Sequence, residues 1–430
     1  MEIELNDSAK REILDALAVR VDKCLQSLER PTDEWHANFE TMRPSLLSTR
    51  TRHEFEGGIN RLLRTLDLSH VGFEHVALDR CSAGRALAAT YLPFEFNGVM
   101  RWVFQDVLPD GPADRVGIRP GDILLKADQV SFNPPEHPFF RMASTTNVLV
   151  EDSDDRVVLK SITIPGPRRS LWTRKKDRPP AFAQPRCVSH QRMAENIGYM
   201  RLSGFPGAVG VEVAKEISAA LEALSNSRGL IIDLRGNGGG GVGFMRLLNH
   251  LSSESYEIGT FVRGPRSLEL PPQNLIFFEL DEVPRFKVQL PFLAAHYFWK
   301  KGLSWITHKP MRIRLRAKGR RRSHFHGRTV ILTNQHTASA AEMVVAAAKE
   351  NALATIVGLP TAGRVRGGTR TKLPHGFWLM LPGGLFVTSK GTNPDGAPIV
   401  PHVHVPFDPL AAREGRDTQM ERALEVVRSL

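Results

Sequence analysis

No apolar run in the sequence approaches the roughly 18 residues that a bilayer-spanning helix needs, so no helical span and no membrane contact are expected. The first residues, Met1-Glu-Ile-Glu-Leu-Asn-Asp-Ser8, lack the basic segment and following apolar stretch of a secretory signal. A cytoplasmic location is therefore the expectation. Cysteine is scarce: Cys24, Cys81 and Cys187 are odd in number and far apart. They suggest neither a disulfide framework nor a zinc site, and are expected to be reduced and structural. His336, His375, His402 and His404 lack metal-ligand spacing beside carboxylates, so no metal and no other cofactor is assigned. No internal repeat is evident. What remains is ordinary globular composition, 41% apolar and 24% charged, in a chain of 430 residues. That is long enough for two or three domains with their own cores.

Net charge is +11, and part of it is concentrated. Arg312, Arg314, Arg316, Lys318, Arg320, Arg321, Arg322 and Arg328 fall in a stretch without an acid, and Arg168–Arg178 forms a second basic run. Such runs can hold nucleic acid or an acidic partner. No nucleic-acid motif accompanies them, so they read as solvated loops, with nucleic acid not expected as a partner.

Along the chain, apolar residues recur at helical spacing over 9–28 (Ile13, Leu14, Leu17, Val21, Leu25, Leu28), and a second helical stretch runs over 54–66. Residues 1–70 are expected to form an N-terminal helical domain. From about 95 to 165 the texture changes to short strands. Residues 166–195 are Pro-rich, basic and aperiodic, as a linker would be. Strands at 197–203, 229–234, 328–334 and 354–358 then alternate with helices at 209–226, 242–253 and 339–350. This alternation predicts a mostly parallel sheet with helices outside it. The core is expected over 196–410, interrupted by an insertion or lid at 264–327, with further strands at 376–382 and 384–389. An amphipathic closing helix falls within 411–430.

Two junctions in this core carry chemistry. Asn334-Gln-His-Thr-Ala-Ser339-Ala-Ala-Glu342 closes an apolar strand and opens an apolar helix. It puts one hydroxyl at a helix N-terminus, where unpaired amides and the helix dipole favour developing negative charge. Asp233-Leu-Arg-Gly-Asn-Gly-Gly-Gly-Gly241 follows the strand 229–235 directly. A glycine run lets backbone amides turn and approach a ligand closely, as an oxyanion hole requires. Either stretch alone is equally explained by close helix packing or by a plain loop. Together they point to acyl transfer by a serine.

Both junctions resemble the tail-specific (C-terminal processing) protease family. The likeness also takes in Ile197-Gly-Tyr-Met-Arg-Leu-Ser203, Thr329-Val-Ile-Leu-Thr-Asn334 and Ile356-Val-Gly-Leu-Pro-Thr-Ala-Gly363. Upstream, the stretch Val103–Asp128, with Pro112-Ala and the turn Arg119-Pro-Gly-Asp122, is similar to the central part of a PDZ domain. The resemblance implies a multidomain α/β protein: a helical domain, a PDZ-like β-rich domain and a βα core with a crotonase/ClpP-like spiral sheet. It implies a serine endopeptidase with Ser339 as nucleophile and the amides of Gly239 and Ala340 as the oxyanion hole. Peptide or protein substrates are the implied partners, with room for a homo-oligomer. The PDZ-like segment would hold extended peptide and affect substrate affinity more than the chemical step.

The chain departs from most of these relatives at one position. They activate the serine with a lysine 25 residues downstream, and here that position is Arg364. A guanidinium with a pKa above about 12 has no lone pair with which to take the proton. Asp67-Leu-Ser-His-Val-Gly-Phe73 resembles the Ser-His element of the tricorn-like branch, which implies His70 as general base and Ser69 as its relay partner. A histidine suits general-base work near neutral pH. The branch also uses a glutamate, and the matching stretch Asp395-Gly-Ala-Pro-Ile-Val-Pro401 aligns Asp395 with it. Asp-Gly is equally a turn dipeptide, and Asp67 and Glu74 lie nearer to His70 in sequence, so the orienting acid stays open. The rival from another class is a catalytically inactive peptide-binding scaffold of the same fold.

Overall fold

The computed structural model describes residues 5–76, 80–128, 130–135, 139–166, 186–262, 269–321 and 324–429. Most of the Pro-rich stretch read as a linker lies outside the described residues; its end, Val188–Arg192, is a strand.

Three helices open the chain: Asp7–Ser27, Asp33–Leu47 and Arg52–Arg64. Asn6 caps the first through its side chain, and Thr51 with Glu54 forms a reciprocal cap on the third. Ile13, Leu14, Leu17 and Val21 share one face of the first helix and are fully buried. They pack with Trp35, Phe39, Phe55 and Ile59 onto one face of a sheet, through Phe73, Phe377 and Leu379. The helices are therefore joined to the rest of the chain through a shared core.

Residues 89–164 form an antiparallel sheet in the strand order Ala89–Phe96, Val99–Val107, Ile123–Ala127, Ser144–Glu151, Val157–Ile164. Its core holds Trp102, Phe104, Leu124, Val148, Val150 and Ile162, with the short helix Pro112–Arg115 beside it.

The central sheet runs in the order Val188–Arg192, Ile197–Leu202, Gly229–Asp233, Arg328–Thr333, Thr355–Gly358, Val403–His404, and all pairs but the first are parallel. Side chains alternate across it. Leu230, Ile232, Ile331 and Ile356 face the helices Val211–Ala223, Met245–Leu251 and Ala340–Glu350. Ile231, Val330, Leu332 and Val357 face the closing helix Thr418–Ser429. Both faces are covered, as the unbroken apolar strands require.

The segment 264–327 is more integrated than an insertion or lid. Its strands Ile276–Leu280 and Met311–Ala317 join Tyr256–Val262 in a second mixed sheet with the long strand Phe377–Thr388. The basic run thus begins as a strand rather than a loop. Leu315 and Ala317 point into the core, and Arg314 pairs with Glu257 and Glu279 at the surface. The two strands expected at 376–382 and 384–389 are one. The first half of Phe377–Thr388 pairs with Gly72–His75 on one side and Arg366–Lys372 on the other; its last residues pair with Tyr256–Val262. Strand Arg366–Lys372, rich in glycine and charge, has no apolar alternation to announce it.

Candidate active site

Ser339 ends the turn between strand Arg328–Thr333 and helix Ala340–Glu350. Its backbone stands at φ 56°, ψ −121°, a region a residue with a Cβ occupies only when its surroundings hold it there. The restraints are visible. The Ser339 amide donates both to the Arg364 carbonyl (3.1 Å) and to Glu342 Oε2 (3.0 Å). The Ala338 amide donates to the Asn237 carbonyl (2.9 Å), and Thr337 Oγ1 donates to the Leu234 carbonyl (2.9 Å). The serine turn and the glycine turn are thereby locked to each other.

Glu342, fully buried, clamps a third segment. Its carboxylate also accepts from Thr361 Oγ1 (2.7 Å) and from the amides of Gly363 (2.7 Å) and Arg364 (2.8 Å). Burial pushes its carboxyl pKa up, while those hydrogen bonds pull the other way.

In the glycine turn, Gly239 lies against the serine: a Cβ there would sit 2.6 Å from Ser339 Cβ and 2.8 Å from the Ala340 nitrogen, at φ +89°. Only glycine fits. The Gly239 amide itself is taken, donating to Asn237 Oδ1 at 2.8 Å. The amides of Gly240 and Ala340 have no acceptor among the described residues.

His70 belongs to the turn between helix Arg52–Arg64 and strand Gly72–His75, and its own φ is +58°. Ser69 Oγ donates a short hydrogen bond to Asp395 Oδ1 and lies 3.2 Å from His70 Nδ1. A hydroxyl has one proton to give. With that proton on the carboxylate, Ser69 must accept from His70, so Nδ1 carries the imidazole hydrogen. Nε2 is then the free lone pair, and it has no protein partner among the described residues. Asp395 also accepts from the Val365 amide (3.2 Å) and forms a short ion pair with Arg366 Nε. Burial lowers the His70 pKa; Asp395 opposes this, and Arg364 and Arg366 reinforce it.

The structure thus brings Ser69, His70 and Asp395 into one hydrogen-bonded relay. The peptide 364–365 bridges that relay to the serine turn, since the Arg364 carbonyl holds Ser339 and the Val365 amide holds Asp395. Glu74 is not part of the relay, being paired with Arg370. Sequence reasoning missed Arg366, the clamp role of Glu342, and Asp106. Asp106 comes from the antiparallel sheet and accepts from Asn334 Nδ2 at 2.8 Å, across 228 residues of chain. A Cβ on Gly236 would lie 3.2 Å from its Oδ2. Nothing local in the sequence marks this contact.

A cavity of about 510 Å³ lies between the third helix and the sheet, lined by Asn60, Gly72, Phe73 and Trp378; Ser339 and His70 are not in its lining, though the His70 Cβ is 3.6 Å from the Cβ position of Gly368. Met380 lies both in this cavity and against Gly368, and the lining carries Arg61, Arg64, Arg80, Arg85 and Arg370 beside Glu56 and Glu74.

Residues 196–405 match the family model described as peptidase family S41. No curated protein matches the chain. Solved structures are similar in fold at low identity. The photosystem II D1 C-terminal processing protease matches at 16% identity and TM-score 0.52, over 97% of each chain. Mature CPAF complexed with lactacystin matches at 15% and 0.58, also over 97% of each chain. A peptidase of Parabacteroides merdae matches at 14% and 0.50, over 97% of this chain and 96% of its own.

Proposed function

Because the chain belongs to peptidase family S41 and is a serine peptidase, we propose that it is an endopeptidase of tricorn-like type in which Ser339 attacks and His70 serves as the base. His70 Nε2 takes the Ser339 proton, the alkoxide adds to the peptide carbonyl, and the imidazolium then protonates the leaving amine. Ser69, polarised by its hydrogen bond to Asp395, accepts from the imidazole and holds its Nδ1–H tautomer, while the charge stays on the carboxylate. The developing oxyanion is received by the Ala340 amide and by the glycine turn. Because Asn237 holds the Gly239 amide, the turn's donor is Gly240, with Gly239 shaping the approach. Water releases the acyl-enzyme, and no step calls on a cofactor. The observation that carries this reading is the Ser69–His70–Asp395 relay, which leaves Nε2 as the available lone pair.

The antiparallel sheet 89–164 is read as a PDZ-like module that presents extended peptide by strand addition at a sheet edge. A cytoplasmic site of action is part of the same reading and rests on the sequence alone, in which cysteine is scarce and widely spaced.

The test is a digest of a peptide mixture by the parent chain and by Ser339→Ala, with a serine-reactive fluorophosphonate probe in parallel. Replacing the hydroxyl leaves the fold standing, since a cap contributes at most about 1–2 kcal/mol, and removes cleavage and labelling together. Cleavage by Ser339→Ala close to the parent's would show the nucleophile to be another residue. A parent that neither cleaves nor labels would be the silent scaffold.

A further inference from the structure

The helix Leu290–Thr307 rests on the body through Leu290, Leu293 and Tyr297 and turns its other side to solvent. At about 100° per residue, Phe292, Trp299 and Ile306 form one row along that outer side, and Phe298 and Trp305 form the next. They are 78%, 62%, 69%, 64% and 79% exposed. Ala295 and Gly302 lie between the two rows. Phe286 and Val288, just before the helix, extend the patch. Every exposed Phe and Trp of the described residues lies in this one segment. Isolated exposed apolar side chains are common, but a contiguous aromatic face on a helix marks a contact surface.

The charge along this stretch of chain is of one sign. No Asp or Glu occurs between Glu282 and Glu342. Lys300 and Lys301 fall on the two shoulders of the helix, between the apolar arc and the body, and neither has an ion-pair partner among the described residues. Lys300 lies 5.0 Å from the centre of the Trp299 ring. Some neighbouring cations are neutralised, Lys287 by Glu212 and Arg314 by Glu257 and Glu279.

We infer that this face docks on the surface of a bilayer containing anionic lipid, with the Phe/Trp rows in the headgroup–acyl boundary and the lysines at the phosphates. Aromatic rings and lysines flanking them are the side chains that favour that boundary. No helix among the described residues is long and apolar enough to cross a membrane, so this one lies in the plane. The expectation of no membrane contact rested on the lack of a spanning run, which such a helix does not need. A second copy of the chain is the poorer occupant: stripe on stripe would set lysine against lysine with no acid to answer either.

The experiment is co-sedimentation of the full chain with vesicles of phosphatidylcholine alone and of phosphatidylcholine mixed with phosphatidylglycerol, read also by tryptophan emission. The mixed vesicles are expected to bind the chain at least about tenfold better, with a blue shift and with loss at high salt. Lys300→Gln and Lys301→Gln should each weaken binding about fivefold. The double variant Trp299→Ala/Trp305→Ala should lose about tenfold or more, with an unchanged thermal unfolding midpoint because both rings are exposed. Equal binding to both lipid mixtures, or no binding at all, overturns the inference, and so does full binding by the tryptophan double variant. A chain that ignores lipid, elutes as a dimer and becomes monomeric in the double variant would assign the stripe to contact between copies instead.

Discussion

Replacing Asp395 by Asn tests the relay at its far end. The carboxylate, 6% exposed, accepts from Ser69 Oγ, the Val365 amide and Arg366 Nε. An amide side chain retains one acceptor oxygen and turns an NH₂ toward groups that are themselves donors. Two consequences follow. Arg366, 13% exposed, loses its counterion; breaking a buried pair from one side costs about 3–5 kcal/mol. The Ser69 hydroxyl, facing an amide donor, turns its proton toward His70 Nδ1, which selects the Nε2–H tautomer and removes the base. On the scale of a triad left in the wrong tautomer, kcat/KM should fall by about 10⁴. The assay is kcat/KM against pH on a peptide substrate, beside urea unfolding. In the parent, kcat/KM rises as His70 loses its proton, with the midpoint below the ordinary histidine value because burial lowers it, and then levels off. Asp395 holds that midpoint up, so in the variant the acid limb moves to lower pH while the plateau drops. A folded Asp395→Asn chain within about tenfold of the parent, its acid limb unmoved, would refute the relay and return Asp395 to a turn residue.

Gly239→Ala should abolish cleavage and destabilise the serine turn, because the added methyl would lie 2.6 Å from Ser339 Cβ; normal turnover with an unchanged unfolding midpoint would contradict this. Glu342→Gln replaces one of the two oxygens that share four hydrogen bonds at a fully buried position, turning an NH₂ toward two donors. Losing satisfied buried partners should cost about 1–3 kcal/mol and lower kcat through the Ser339 turn; a variant as stable and active as the parent would show that the clamp is dispensable. Asp106→Ala strands the Asn334 side-chain amide under the same turn. Turnover of a small ester should therefore fall, contrary to the expectation that the PDZ-like segment affects affinity more than the chemical step. Unchanged ester kinetics would restore that expectation.

Much of the central sheet was legible in the sequence, because each strand is buried on both faces and reads as an unbroken apolar run: Leu230-Ile-Ile232, Val330-Ile-Leu332, Ile356-Val357. The serine and glycine turns were legible for a related reason, since small residues and glycine at strand ends report where backbone must pass close to backbone. His70, Ser69 and Asp395 could be nominated only by resemblance; composition and periodicity leave a helix-end histidine and an Asp-Gly turn without a role. Tertiary structure alone set Asp395 rather than Glu74 on Ser69, pairing Glu74 instead with Arg370. It alone turned the arginine-rich run into a strand, because a strand at the sheet's outer part needs only alternate side chains to be buried. And it alone brought Asp106 beneath Asn334, 228 residues away. Local propensity and pattern are properties of neighbouring residues and can be read along the chain; which donor meets which acceptor across hundreds of residues depends on how the sheets close on each other.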